Sequence, residues 1–235
     1  LSATPRRVVV VGAGIAGMEA AWVAAAAGHR VHVLSRGAEP GGKARLRSHL
    51  PGGEEVSSIY DYQTAAAQRA GMVFEAGIEA TAREVLARQP EHVVLATGAT
   101  MTPPHGLPQD LREAGVVPDL REAVEALRRS HAPQTGAAVI FDMDHTEGTY
   151  AAALYLRSRF QRVVILTPRP SFADDMALVT RQSLLRRMAE AGVELWPLSE
   201  PVWDPAALEE GHLRVRPVYG DAWADITEVA LVTYS

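Results

Sequence analysis

Near its start the chain reads Val8-Val9-Val10-Val11-Gly12-Ala13-Gly14-Ile15-Ala16-Gly17. Four consecutive β-branched residues are typical of a parallel strand that is buried on both faces. In the GxGxxG spacing that follows, the first glycine permits a tight turn, the second lets backbone approach a pyrophosphate, and the third lets helix and strand pack closely. An Ala-rich stretch over 18–27 and the apolar run Val31-His32-Val33-Leu34 come next. The segment therefore predicts a strand–helix–strand unit with a phosphate site at the N-terminus of its helix.

The same pattern returns between Ala137 and Arg169. Here Ala138-Val139-Ile140-Phe141 predicts a strand, 149–159 predicts a helix, and Val163-Val164-Ile165-Leu166 predicts a second strand. An internal repeat of this kind predicts an α/β fold with two Rossmann-like three-layer domains, the second inserted into the first.

The segments around these two units set the predicted domain boundaries. Further strands are predicted over 72–76 and 92–95, and the Pro-rich segment 101–108 is interpreted as a crossover between domains. A helix is predicted over 178–191, and a last strand over 228–232 is expected to return to the first domain. We therefore predict a discontinuous nucleotide-binding domain, residues 1–105 plus 226–235. The inserted domain, residues 106–225, contains the second strand–helix–strand unit.

Composition restricts the classes of function. The 235 residues carry a formal net charge of -5, which disfavours a nucleic-acid partner because phosphate-backbone binding needs clustered Lys and Arg. Absence of cysteine excludes disulfides, thiolate zinc sites and cysteine-bound iron–sulfur clusters within the chain. No run approaches the roughly 20 apolar residues of a membrane helix. The chain begins at Leu1 without a visible signal peptide. We therefore expect a cytoplasmic protein without a membrane partner, either a processed subunit or an excised fragment.

The predicted nucleotide site is centred on the loop Gly12, Ala13, Gly14, Ile15, Ala16 and Gly17. At the end of the second strand, where an acidic residue usually bonds a ribose hydroxyl, the chain has Ser35 and Arg36. Ser35 can still bond a hydroxyl. Arg36 can pair with a 2′-phosphate, lie over the adenine face, or be a solvated strand-end residue.

Other cofactor contacts are predicted outside this loop. Gly41-Gly42-Lys43 can place backbone and a cation beside the pyrophosphate or the second ribose, or can be an ordinary turn. No metal ligand or catalytic residue is predicted. The predicted contacts beyond the glycine loop, Ser35 and Arg36 are Gly42, Lys43, Ile78, Glu79, Ala96, Thr97 and Gly98.

Several motifs together resemble the two-dinucleotide-domain flavoproteins of the pyridine nucleotide-disulfide oxidoreductase superfamily. They are the glycine loop, 35–43 and the segment Ala96-Thr-Gly-Ala-Thr100. The segments Phe141-Asp-Met-Asp-His145 and 180–187 narrow the resemblance to the C-terminal half of the multidomain old yellow enzyme relatives. These relatives include trimethylamine dehydrogenase, histamine dehydrogenase, 2,4-dienoyl-CoA reductase and N-methyl amino acid demethylases.

This resemblance implies a division of labour between domains. In the family, an N-terminal barrel that is absent here carries FMN, a 4Fe-4S cluster and the substrate chemistry. The half that this chain resembles holds FAD and admits NADPH in the reductase branch. In the amine dehydrogenase branch it holds an ADP-like nucleotide, and electrons leave to an electron-transferring flavoprotein. The implied partners are therefore an FMN/4Fe-4S barrel domain or subunit and an electron-transferring flavoprotein.

The second predicted turn departs from a working NADPH loop. It reads Asp142-Met143-Asp144-His145-Thr146-Glu147-Gly148, with carboxylates where glycines are needed. A carboxylate–phosphate pair about 4 Å apart costs roughly 4 kcal/mol at an effective dielectric near 20. A helix dipole returns only about 0.3 to 2 kcal/mol. We therefore expect no ordinary NAD(P)H binding there. The alternatives are a metal or acid-base site at Asp142, Asp144 and His145, or helix capping by Asp144 or Thr146.

Two further features qualify the resemblance. Leu231-Val232-Thr233 resembles a second strand–Thr–Gly turn, but Tyr234 stands where glycine is expected, which leaves the ADP end better supported than full FAD binding. Tyr60-Asp61-Tyr62 is interpreted as packing at a domain interface or as an electron relay. The sequence thus favours the nucleotide-binding portion of an amine dehydrogenase or demethylase, without a catalytic centre of its own. The alternatives are a FAD/NADPH reductase module and a non-catalytic docking subunit with a structural nucleotide.

Overall fold

A computed structural model describes residues 4–130 and 133–235 of the chain. They divide into two compact units, Leu1–Thr100 and Met101–Ser235. Each unit contains a four-stranded parallel sheet. The predicted α/β class with two Rossmann-like domains is therefore confirmed.

The first unit is built on a parallel sheet in the order β3-β2-β1-β4. A short 3-10 turn, Glu54–Val56, precedes its third helix. Its elements are β1 (Arg7–Val11), α1 (Ile15–Ala26), β2 (Arg30–Ser35), α2 (Gly42–Ser48), α3 (Ser57–Arg69), β3 (Val73–Ala76), α4 (Ala82–Ala87) and β4 (His92–Leu95).

The two faces of this sheet are covered differently because successive side chains of a strand point to opposite sides. Val8 and Val10 of β1 pack with Met18 and Ala21 of α1. On the other face, Val9, Val11 and Leu34 pack with a smaller group of residues over 78–85. The Ala-rich face of α1 is buried, with Ala21 fully inaccessible, so the helix lies close to the sheet and to α3. This close packing holds the start of α1 directly above the end of β1.

The second unit combines a parallel sheet, β11-β5-β6-β7, with an antiparallel sheet, β10-β9-β8. Its elements are α5 (Gln109–Glu113), α6 (Leu120–Arg129), β5 (Ala137–Phe141), α7 (Glu147–Arg157), β6 (Arg162–Leu166), α8 (Leu178–Ala191), β7 (Glu194–Trp196), β8 (Ser199–Pro201), α9 (Pro205–Glu209), β9 (Leu213–Pro217), β10 (Ala224–Ile226) and β11 (Val229–Tyr234).

The core of the second unit lies between its two sheets. Val139 and Phe141 of β5 and Leu166 of β6 share one buried cluster with Leu213 and Ile226 of the antiparallel sheet. The ring of Phe141 also meets that of Trp203 edge-on at 6.2 Å. Helix α7 packs against β6, α6 and α8. Helices, parallel sheet and antiparallel sheet therefore form the three layers of this unit.

The last strand differs from the prediction that residues 226–235 complete the first domain. β11 pairs in parallel with β5 of the second unit, from Val229 opposite Ala137 to Tyr234 opposite Phe141. The side chains of Val232 and Tyr234 belong to the second unit's core. Gly136 allows this junction, since a Cβ there would lie 2.3 Å from the Glu228 carbonyl oxygen. The predicted discontinuous first domain is therefore wrong, because side-chain complementarity to β5 decides which sheet the strand joins.

The boundary between the units also shifts slightly, from the predicted residue 105 to Thr100 and Met101. Helix α8 has the bounds predicted from sequence, 178–191. Across the described ranges, no helix has the length and apolar character needed to cross a bilayer.

Candidate nucleotide-binding site

The first and third glycines of the loop are required by the protein's own packing. Gly12 has φ +103°, and a Cβ there would lie 2.2 Å from the carbonyl oxygen of Ala96. A Cβ on Gly17 would lie 1.9 Å from the carbonyl oxygen of Gly12. Any side chain at these two positions would push α1 and the loop after β4 away from β1. The turn therefore depends on both glycines for its shape.

Gly14 is different, because nothing in the protein requires it to be glycine. Its backbone is extended, with φ -72° and ψ -178°, which any residue adopts. A Cβ built on it meets no atom within 4 Å. The space beside Gly14 is thus left open by the fold, and a side chain would fill it. That is the property expected where backbone must approach a ligand closely.

The start of α1 gives this open space a favourable field. The first intrahelical bond runs from the Met18 amide to the Gly14 carbonyl at 2.9 Å, so the amides of residues 15–17 precede it. The first turn of α1, which lies entirely within the described residues, carries no acidic side chain. Unpaired amides and the positive end of the helix dipole both favour an anion here.

A second glycine pair closes the other side of the loop. The Gly41 amide donates to the Ala13 carbonyl at 2.8 Å, and a Cβ on Gly42 would lie 3.1 Å from the Cα of Gly14. Both residues have positive φ, +114° and +53°. The first residues of α2 therefore sit beside Gly14, with Lys43 exposed next to them. This arrangement brings Gly42 next to the glycine loop, and its contact with a pyrophosphate stays a prediction.

The remaining predicted residues lie at the carboxyl ends of the strands. Ser35 ends β2 and is buried, whereas Arg36 is exposed and has no hydrogen bond or ion pair with the described residues. The Ile78 amide donates to the Ser35 carbonyl at 2.9 Å, and Glu79 beside it is exposed. After β4, the Ala96 amide donates to the Val11 carbonyl at 2.8 Å, and Thr97 and Gly98 follow it.

Parallel strands end at one edge of their sheet, so most of the predicted contact residues meet at the carboxyl edge of the first sheet. Ile78 is a partial exception. Its side chain packs against Val9, Val11 and Leu34 on the sheet face.

In the second unit, the turn between β5 and α7 is filled by its own side chains. The buried Asp142 carboxylate accepts hydrogen bonds from the His145 amide at 3.0 Å, the Ser235 hydroxyl at 3.1 Å and the Tyr150 hydroxyl at 2.7 Å. Asp144 accepts from the Thr146 amide at 2.9 Å and from the Thr149 hydroxyl at 2.7 Å. Two carboxylates of this turn thus accept hydrogen bonds from the amides of His145 and Thr146, directly before α7.

The predicted capping of the first helical turn by Asp144 or Thr146 is wrong. The Asp144 carboxylate accepts a hydrogen bond from the Thr146 amide, which precedes α7, and not from an amide of the first turn of α7. Thr146 is the N-cap residue and makes no side-chain cap bond. The His145 Nε2 contacts the Thr167 hydroxyl at 3.0 Å, and no cluster of His, Asp and Glu suited to a metal ion occurs among the residues that the structure describes.

The Tyr150 hydroxyl ties this turn to the loop after β6. It accepts from the Ala173 amide at 2.7 Å while donating to Asp142. Burial, together with the Asp142 charge, raises the pKa of Tyr150 above its ordinary value, so the phenol stays a hydrogen-bond donor. The loop after β6 is therefore hydrogen-bonded to the turn between β5 and α7 through Tyr150.

Comparison with known sequences decides the family. The sequence model of the family described as pyridine nucleotide-disulphide oxidoreductase matches residues 6–201. The chain belongs to the pyridine nucleotide-disulphide oxidoreductase family.

The relatives of this pyridine nucleotide-disulphide oxidoreductase chain are larger proteins. It is 32% identical over 188 residues to a probable N-methylproline demethylase of Rhizobium meliloti (strain 1021), covering 80% of this chain and 26% of the demethylase. The chain therefore spans about a quarter of that relative. The relatives are oxidoreductases, and the chain corresponds to a part of them.

Solved structures of low identity share the fold. Histamine dehydrogenase from Rhizobium sp. 4-9 matches with a TM-score of 0.80 at 21% identity, over 100% of this chain and 36% of the dehydrogenase. A 2-naphthoyl-CoA reductase matches with a TM-score of 0.83 at 22% identity, over 100% of this chain and 33% of the reductase. These structures show a shared fold, and the family match together with the demethylase relative confirms the resemblance indicated by the motifs.

Three residues that support the family's glycine loop here were not among the predicted contacts. Tyr60 was expected to pack at a domain interface, but it is only 3% exposed and lies inside the first unit. Its ring packs on Gly41, and its hydroxyl lies 2.8 Å from that of Ser48. Arg45 lies over the same ring, 4.6 Å from its centre, and Gln63 contacts α1. The spacing of Tyr60, Gln63 and Ala67 on a helix was the available signal, since it marks the face of α3 that is buried.

Proposed function

We propose that the first unit binds ADP, or the ADP half of FAD, at the carboxyl edge of its sheet. The observation that carries this proposal is the open side of Gly14, because no internal contact or backbone conformation explains a glycine there. The pyrophosphate would be held by the amides of 15–17 and by the backbone of Gly42, with Lys43 supplying positive charge. Ser35 and Arg36 would hold the adenosine, and Ala96, Thr97 and Gly98 would line the far side.

Electrostatics supports an anion at this edge of the sheet and not at the second unit's turn. In the first unit the amides at the helix start face open space, and the basic residues Arg36 and Lys43 are exposed at the same edge. In the second unit, Asp142 and Asp144 lie in the turn before the corresponding helix and accept hydrogen bonds from the amides of His145 and Thr146. A phosphate placed beside them would meet two negative charges. The proposal therefore gives this chain one nucleotide site.

In the larger protein, we propose that the chain is the nucleotide-binding portion of a flavin-dependent amine dehydrogenase or demethylase. The demethylase relative, of which the chain spans 26%, supports this assignment. FMN and a 4Fe-4S cluster would belong to a barrel domain or subunit outside this chain. A flavin supplies reversible electron transfer when bound, and the residues here bind and orient the nucleotide. An electron-transferring flavoprotein is the proposed acceptor.

The test of the nucleotide site compares Gly14→Asp with Gly148→Asp, the same change in the corresponding helix start of the second unit. Asp is a favourable N-cap residue, so Gly14→Asp is expected to keep α1 folded while placing a negative charge in the open space. ADP affinity, measured by isothermal titration calorimetry, is expected to fall by at least about 100-fold in Gly14→Asp. Gly148→Asp should bind ADP like the wild type. Equal ADP binding by both variants would refute the assigned site.

A second test separates the amine dehydrogenase assignment from the reductase alternative. Denaturing the purified chain and identifying the released nucleotide by mass and absorbance distinguishes ADP from FAD. NADPH binding that persists in Gly14→Asp, or NADPH-dependent bleaching of a bound flavin, would support the reductase and overturn our assignment. Amine-dependent reduction of an electron-transferring flavoprotein, increased when this chain is added to an FMN/4Fe-4S barrel protein, is the result expected for the dehydrogenase.

A further inference from the structure

The amide of Gln63 joins α3 to the first turn of α1. Gln63 is 3% exposed, and its Nε2 donates to the Ile15 carbonyl at 3.1 Å and to the Glu19 carboxylate at 2.8 Å. Ile15 is the first residue of α1 and follows Gly14 directly. One buried side chain therefore reaches the helix turn whose amides face the open space.

Folding alone does not account for an amide at this position. The Ile15 carbonyl already accepts the intrahelical bond from the backbone amide four residues on, and Glu19 is exposed to water. The Oε1 of Gln63 is buried without a hydrogen-bond partner among the described residues. A buried acceptor without a partner destabilises a fold, so an apolar side chain of similar size would suit the core better.

Glu19 adds an electrostatic reason. Its carboxylate stands one turn into the helix whose start is the proposed anion site, and a negative charge there opposes phosphate binding. Gln63 and the indole of Trp22, which donates to the same oxygen at 2.8 Å, hold this carboxylate on the side of α3. These hydrogen bonds also lower the pKa of Glu19, so its charge is constant near neutral pH.

We propose that Gln63 is a positioning residue for the nucleotide pyrophosphate. Through the Ile15 carbonyl it sets the position of the first turn of α1, and through Glu19 it keeps a negative charge directed away from the phosphates. This inference rests on the proposed function, since it assigns Gln63 to the ADP site at Gly14. It concerns the phosphates and not the adenosine.

The test compares Gln63→Leu with Gln68→Leu, an exposed control on the same helix. The dissociation constants of ADP and of adenosine are measured for both variants and for the wild-type chain by calorimetry. Gln63→Leu is expected to raise the ADP dissociation constant about tenfold and the adenosine constant less than about twofold. Gln68→Leu should leave both constants unchanged. A purely structural role would weaken both ligands equally.

A second pair of variants keeps the test valid if Gln63→Leu does not fold. Gln63→Glu has the same size but cannot donate, and it repels Glu19. Combining it with Glu19→Gln restores a donor–acceptor pair between the two helices, and ADP affinity is expected to recover relative to the single variant. If the ratio of the ADP and adenosine dissociation constants is unchanged in every variant, the role assigned to Gln63 is overturned, while the proposed nucleotide site stands. Failure of the wild type to bind ADP overturns the proposed function and this inference together.

Discussion

The hydroxyl of Tyr150 donates a 2.7 Å hydrogen bond to the carboxylate of Asp142, and both side chains are fully buried. The pair stands where a second dinucleotide loop would be, and the same hydroxyl accepts from the Ala173 amide. Protein side chains therefore fill this turn. The stability of the second unit should depend on it.

Tyr150→Phe is expected to lower the free energy of unfolding by about 2 kcal/mol. The change leaves Asp142 without one donor and the Ala173 amide without its acceptor, and unsatisfied buried groups cost roughly 1 to 3 kcal/mol. Urea denaturation followed by circular dichroism measures the difference. Tyr155→Phe on the same helix is the control, because the Tyr155 hydroxyl makes no hydrogen bond with the described residues. Equal effects of the two changes would contradict the assigned contact.

Glycines of the first loop should differ in what their substitution disturbs. Gly17→Ala places a Cβ 1.9 Å from the Gly12 carbonyl oxygen, so it is expected to destabilise the chain by at least about 2 kcal/mol. Gly14→Ala meets no atom within 4 Å and should lower the unfolding free energy by no more than about 1 kcal/mol, because alanine is a poorer N-cap residue than glycine. Thermal denaturation without nucleotide makes the comparison. Similar losses in both variants would show that Gly14 is also structural.

Acid should weaken the first unit through Glu75. Hydrogen bonds from Arg88, with a smaller contribution from His32, lower the pKa of Glu75 from 4.5 to about 2. Because the folded pKa lies below the unfolded one, the stabilisation is complete above about pH 4.5 and is lost as the pH falls towards 2. It amounts to roughly 3 kcal/mol at most.

The pH test measures unfolding free energy between pH 6 and pH 2, as a difference between the wild type and Glu75→Gln. That difference should shrink as the pH falls, because only the wild type loses the charge. Glu55→Gln, at an exposed position, is the control and should track the wild type at every pH. A difference that stays constant down to pH 2 would rule out the Arg88–Glu75 contribution.

Arg36 should contribute to ligand affinity but not to folding. It is exposed and has no hydrogen bond or ion pair with the described residues, so Arg36→Ala is expected to leave the melting temperature unchanged. Loss of its contact with adenosine should weaken ADP binding about fivefold, equivalent to about 1 kcal/mol. Arg30→Ala, at the opposite end of β2, is the matched control in calorimetry. Equal ADP affinity in all three proteins would remove Arg36 from the site.

Much of the candidate site follows from local sequence. Short-range sterics specify a strand at Val8–Val11, a turn at the glycine loop and a helix over the Ala-rich stretch. At Gly12 and Gly17 no residue with a side chain fits, because its Cβ would clash with backbone oxygen. The strands of a parallel sheet all end at the same edge. Residues that directly follow a predicted strand are therefore expected to lie together at that edge. Helix α8 could be bounded for a similar reason, since Gly192 ends it with a positive φ.

Contacts between segments that are distant in the sequence could not be predicted from local sequence patterns. The apolar pattern of 228–232 suits either sheet, and only the fit of Val232 and Tyr234 to the core around β5 selects the second unit. The pattern likewise shows carboxylates at Asp142 and Asp144, but not that they take up the amides of their own turn. Gln63 is 48 residues from Ile15. Local propensity therefore establishes the elements and the nucleotide loop, whereas packing between distant segments establishes the sheet partner of β11, the filled second turn and the support of α1.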